Sequence, residues 1–102
     1  MHTHVVHFWL KPELSDEQVA SFAEGLAGLK DSPNVQEVRV GTPIASERAV
    51  VDSSFTYQLL VTFDDSEAHD RYQSSDDSAH EAFIAGFKSF WTKVLIYDAL
   101  AL

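Results

Sequence analysis

Phe55-Thr-Tyr-Gln-Leu-Leu-Val-Thr-Phe63 decides the architecture. Side chains of an extended chain alternate, so Phe55, Tyr57, Leu59, Val61 and Phe63 share one face and Thr56, Gln58, Leu60 and Thr62 the other. The first face is wholly apolar and must be covered. Upstream, Val35 to Val40 also alternates, with Val38 and Val40 opposed to Glu37 and Arg39, and Gly41-Thr42-Pro43 closes it. Residues 44–54 have no period and read as a long hairpin connection. Further upstream, Ser15-Asp16-Glu17-Gln18 is a capping box. The helix after it sets Val19, Phe22, Ala23, Leu26 and Leu29 at spacings of three and four, until Asp31-Ser32-Pro33 stops it. The chain opens with a strand, His4 to Leu10, ended by Lys11-Pro12.

Downstream, Asp64-Asp65-Ser66 caps a short helix through about Tyr72, and Gln73 to Ser78 is a polar turn. Ala79, Phe83 and Phe87 recur at i, i+4 and i+8 in a helix from about Ala79 to Phe90. Lys93 to Asp98 is the last strand. The order β-α-β-β-α-β is the ferredoxin-like split βαβ arrangement, an α+β fold with helices on one face of an antiparallel four-stranded sheet. On the other face Val5, Trp9 and Leu60 are too apolar to stay wet. A homodimer that joins two sheets into a dimeric α/β barrel is the expected remedy.

The chain has 102 residues, which suits one domain. Its net charge of −9 argues against nucleic acid and anionic membranes, which need clustered Lys and Arg. There is no cysteine, so disulfides, thiolate catalysis and zinc–thiolate sites are excluded. No apolar run reaches the ~18–20 residues that span a bilayer, and the start, Met1-His2-Thr3-His4, is unlike a signal peptide. A cytoplasmic address is the expectation.

No glycine-rich phosphate loop, Gly-x-Ser-x-Gly elbow or His-Glu-x-x-His motif is present. His2, His4 and His7 invite a metal reading. His2 and His4 share a strand face about 7 Å apart, but no carboxylate at helical spacing completes a site, His2 is expected to fray and His7 faces the other way. Neither a metal nor a cofactor is expected. His69 reads as a polar helix residue, and Asp76-Asp77 as helix-capping and solubilising charge. His80 and Tyr72 flank the polar turn. An imidazole suits proton transfer near neutral pH, and a phenol beside it would orient a carbonyl. The plainer reading is that His80 caps the last helix and Tyr72 packs at a helix end. Phe22, Leu26, Phe83, Phe87 and Trp91 either wall an apolar cavity or fill solid core.

The opening His4-Val-Val-His-Phe-Trp-Leu-Lys11, the strand Tyr57-Gln-Leu-Leu-Val-Thr-Phe63, the Tyr72 and His80 pair and the closing Ser89-Phe-Trp-Thr-Lys-Val-Leu-Ile-Tyr-Asp98 resemble the stress-responsive A/B barrel (Dabb) family over nearly the whole chain. The resemblance implies one such domain over residues 1–102 and a dimeric barrel. Among characterised members, these residues look most like the plant olivetolic acid cyclase, which closes a linear polyketide by an aldol condensation without a cofactor. That likeness implies His80 as general base, Tyr72 as its partner and His4 on the same cavity. It further implies Leu59, Phe83, Trp91, Val94 and Ile96 as pocket walls. Leu26 stands where the cyclase has a tyrosine, and Ile84 where it has a glycine, so the pocket is narrower here. The expected function is binding of a small apolar, aromatic or carbonyl-containing metabolite, with cyclase, lyase or isomerase chemistry through the His/Tyr pair. The alternative is a stress-responsive binding or structural module without catalysis, which a cavity admitting only water would favour.

Overall fold

The computed structural model describes residues 1–102. Its elements run β1 (His2–Leu10), α1 (Asp16–Ala27), β2 (Glu37–Gly41), β3 (Tyr57–Phe63), α2 (Ser66–Gln73), α3 (Ser78–Phe87) and β4 (Trp91–Leu100). Short 3₁₀ turns, Gly28–Asp31 and Lys88–Phe90, continue α1 and α3. The sheet order is β2-β3-β1-β4 and every pairing is antiparallel. This is the ferredoxin-like βαββαβ fold that the sequence predicts.

Local chemistry sets the helix starts. Ser15 Oγ accepts from the Gln18 amide at 3.1 Å while Gln18 Oε1 accepts from the Ser15 amide at 2.9 Å, the predicted capping box. Asp65 caps α2 through the Ala68 amide, and Asp77 caps α3 through the His80 amide. His80 therefore supplies a capped amide rather than the cap. β1 and β4 are longer than their sequence signals. His2 belongs to β1 and is almost fully buried, not frayed, and the Ala101 amide donates to the Met1 carbonyl at 2.9 Å to tie both ends down.

The core lies between the helices and the inner sheet face, around Val6, Phe8, Leu59, Val61 and Phe63 of the sheet and Phe22, Leu26 and Leu29 of the first helical region. Gly25 lets α1 approach α3, since a Cβ there would run into the Phe87 ring. No helix is long and apolar enough to cross a membrane. Residues 42–56 have no regular structure apart from local turns. Trp9 Nε1 donates to Ser54 Oγ at 3.0 Å, and Phe55 packs on His7, so the end of this connection lies on the outer sheet face.

β4 is an edge strand that the helices hardly cover. Leu95 and Tyr97 pair with His7 and Val5 on the outer face, whereas Val94 and Ile96 pair with Phe8 and Val6 on the inner face. All four are exposed, Tyr97 by 60 %.

Candidate functional site

A cavity of about 220 Å³ opens between the inner sheet face, α3 and the end of α2. β1 contributes His4, Val6 and Phe8, and β4 contributes Trp91, Val94 and Ile96. Tyr72 and Gln73 close one end, with His80, Phe83 and Ile84 projecting from α3. The wall is apolar except at His4, Tyr72, Gln73 and His80. No residue of 44–54 lines it.

Of the residues singled out in the sequence, His4, Tyr72, His80, Leu59, Phe83, Ile84, Trp91, Val94 and Ile96 lie on this wall. Phe22, Leu26 and Phe87 do not. Phe22 and Leu26 have no exposed surface and are solid core, with Phe22 packed on Phe8 and Tyr57 rather than facing the cavity. Phe87 turns toward Gly25 and lines a shallow groove between α1 and α3. Four wall residues, Val6, Phe8, Leu29 and Gln73, were not foreseen. The inward alternation of β1 was the available signal for the first two.

The Tyr72 and His80 rings pack at 4.4 Å between centroids, tilted by 46°, a ring contact rather than a hydrogen bond. His4 sits 6.2 Å from Tyr72, edge to face. Burial pushes the Tyr72 phenol far above its ordinary range, and the Asp77 carboxylate adds to the effect, so Tyr72 remains a donor at any physiological pH. Burial also lowers the His80 pKa, with a smaller push from His4, against the opposing pull of Asp77 and Glu81. At neutral pH His80 is an uncharged imidazole, and its Nδ1 is buried without a partner.

Asp77 supports this arrangement. It is not solvated charge but 2 % exposed. Burial alone would raise its pKa, yet hydrogen bonds from the His80 amide, the Ser32 hydroxyl and Asn34 Nδ2 outweigh that and hold the carboxyl below its usual value.

A second polar cluster lies behind His4. His2 Nε2 and His4 Nδ1 lie 2.8 and 2.6 Å from the same Asp98 oxygen. His69 is buried rather than a surface residue of its helix, and stacks on His2 at 4.1 Å. Its pKa is lowered by burial first and then by His2 and His4. Burial would raise the pKa of Asp98, but its contacts with His2 and His4 prevail and lower it. Helical spacing could not reveal this grouping, because the carboxylate comes from the paired strand, where His4 faces Asp98.

No curated protein matches the chain. Among solved structures, the At3g17210 protein of Arabidopsis thaliana is 23 % identical, with a TM-score of 0.82 over 100 % of this chain and 96 % of that one. A hydroxynitrile lyase from Passiflora edulis is 19 % identical, with a TM-score of 0.83 over 99 % and 93 %. A dimeric ferredoxin-like protein of unknown function from Thermobifida fusca is 15 % identical, with a TM-score of 0.76 over 98 % and 90 %. These likenesses are likenesses of fold. The stress responsive A/B barrel domain family, by contrast, matches residues 3–100, nearly the whole sequence, and the chain belongs to that family.

Proposed function

We propose that this protein binds a small carbonyl-containing or aromatic metabolite in the cavity beside α3 and catalyses a cofactor-free proton transfer on it. The carrying observation is the cavity itself, about 220 Å³ of apolar space with a neutral imidazole and a protonated phenol on one wall. For scale, a dry cavity of about 150 Å³ accepts benzene, whereas one water occupies about 30 Å³ of liquid. That size suits a compact aromatic ketone, and Ile84 takes up room on the wall that a longer polyketide would need.

In this reading His80 removes a proton from the carbon next to a carbonyl, and Tyr72 donates a hydrogen bond to the oxygen as charge develops there. His4 lies close enough to hold a second polar group of the substrate. The enolate then closes a ring, isomerises or takes its proton back. A cyclase-like reaction fits this step; with a hydroxynitrile the same imidazole would instead take the hydroxyl proton as the C–CN bond breaks, releasing the carbonyl compound and cyanide, which takes the proton up as HCN. The hydroxynitrile lyase neighbour is in keeping with this substrate class, since a hydroxynitrile is a carbonyl compound masked by cyanide.

The proposal includes a homodimer. The outer face presents Val5, Trp9, Leu60, Leu95 and Tyr97, and its apolar area is best covered by a second copy, as the dimeric Thermobifida fusca neighbour suggests.

The test is turnover of a panel of small aromatic ketones, aldehydes and hydroxynitriles by the wild type, His80→Ala and Tyr72→Phe. Loss of ~10²-fold or more in the His80 variant is expected; unchanged turnover removes the mechanism. A second reading, a binding module without chemistry, is favoured by the ring-only contact between Tyr72 and His80. It requires saturable binding of the same compounds with no turnover in any variant.

A further inference from the structure

We propose that His2, His4, His69 and Asp98 form a binding site for a late first-row divalent cation, zinc being the best fit. This goes beyond the cavity reading and shares only His4 with it. The four side chains come from β1, α2 and β4, and one ligand atom of each lies within 4.8 Å of all the others. Three imidazole nitrogens converge on one carboxylate oxygen: His2 Nε2 at 2.8 Å, His4 Nδ1 at 2.6 Å and His69 Nε2 at 3.6 Å.

The third distance carries the argument. At 3.6 Å, His69 Nε2 is too far to hydrogen-bond Asp98, and it is buried with no other partner. An unpartnered buried nitrogen aimed at a carboxylate already shared by two histidines is costly as it stands. One cation in the centre would satisfy all three nitrogens and the carboxylate together. Three imidazoles and one carboxylate make an N₃O set, which suits zinc, copper or nickel and disfavours magnesium and calcium, which take oxygen ligands.

The surroundings fit as well. Ser66 Oγ lies 3.1 Å from His2 Nδ1, so that nitrogen can donate to the hydroxyl and leave the Nε2 lone pair free for a metal. Tetrahedral ligands at about 2.0–2.2 Å from zinc stand about 3.3–3.6 Å apart. The His69–Asp98 separation already matches, whereas His2 and His4 stand closer to Asp98, which must withdraw by several tenths of an ångström to admit the ion. The Asp98 side chain is 38 % exposed, which leaves an entry path. With all four positions filled by protein, the ion would be structural, joining the edge strand β4 to α2.

Tag-free protein freed of metal with a chelator is titrated with Zn²⁺ in a calorimeter, and separately with Co²⁺ while the visible absorption of four-coordinate cobalt is followed. One equivalent of zinc per chain is expected, with the cobalt bands present. The Kd should rise at least tenfold in His69→Gln and in Asp98→Asn and stay unchanged in His7→Gln. Should these variants fail to fold, imidazole NMR of the wild type during zinc titration decides, with His2, His4 and His69 shifting and His7 not. Absence of a stoichiometric event, equal affinity in the His69 and His7 variants, or shifts at His7 alone would overturn the site. None of these readouts depends on a cavity ligand, so failure here leaves the proposed function standing, and the converse holds.

Discussion

One sheet face carries two unlike halves. Under α1, Phe22 packs on Phe8 of β1 and Tyr57 of β3, and Leu26 is buried in the same apolar core. Over β4 and the far side of β1 the helices stand back, leaving a cavity and a histidine cluster. The backbone geometry is the same in both halves; what differs is which helix lies above. The sealed half supplies stability. The open half keeps side chains that a sealed core would reject.

The comparison breaks most visibly at Phe22. Phe22→Ala removes a ring with no exposed surface, touching Phe8, Phe83 and Phe87, and should cost about 3–5 kcal/mol in denaturant unfolding. Ile96→Ala removes a smaller apolar side chain from the open half, where Ile96 is 46 % exposed, and should cost about 1 kcal/mol or less. Equal losses would erase the distinction.

Asp77 joins the halves. Asp77→Ala deletes the α3 cap and leaves Ser32 and Asn34 without their buried acceptor, for a loss of about 2–3 kcal/mol by the same measurement. Its circular dichroism should show reduced helix, and the ring NMR signals of His80 should broaden.

The open half also sets an acid sensitivity. His80 has a folded-state pKa below its ordinary 6.5, through burial and His4 against Asp77 and Glu81, with the Tyr72 ring beside it. Below about pH 6.5 the unfolded chain takes up a proton that the folded chain resists, so stability falls with acidification and is recovered on raising the pH. His69 contributes with the same sign. His80→Gln should reduce the slope of stability against pH below about 6.5 without abolishing it. An unchanged slope would mean that His80 is solvated.

The smallest effect is expected outside both halves. Ile44→Ser alters a side chain 84 % exposed in the hairpin connection and should change stability by no more than about 0.5 kcal/mol.

The sealed half was legible in the sequence because it rests on short-range signals. The capping box at Ser15, the alternation of Tyr57 to Phe63 and the helical recurrence of Phe22, Leu26 and Leu29 are local; Phe55, which the alternation assigns to the inner face, precedes β3 and turns outward against His7. The open half depends on strand pairing. Asp98 reads as the end of a strand until the register sets it opposite His4. His69 reads as a solvated helix residue until α2 is laid over His2. Phe22 and Leu26 were candidates for the cavity wall because spacing shows that a helix face is apolar, not which part of the sheet it meets.

The central claim is that the open half receives a ligand in the cavity beside His80 and Tyr72. Its most direct test is NMR of the selectively labelled rings of His4, His7, Tyr72 and His80 during titration with a small aromatic ketone. Saturable shifts at His80, Tyr72 and His4 with His7 unmoved are predicted. Shifts confined to His7, or none at ligand concentrations into the millimolar range, would contradict the account.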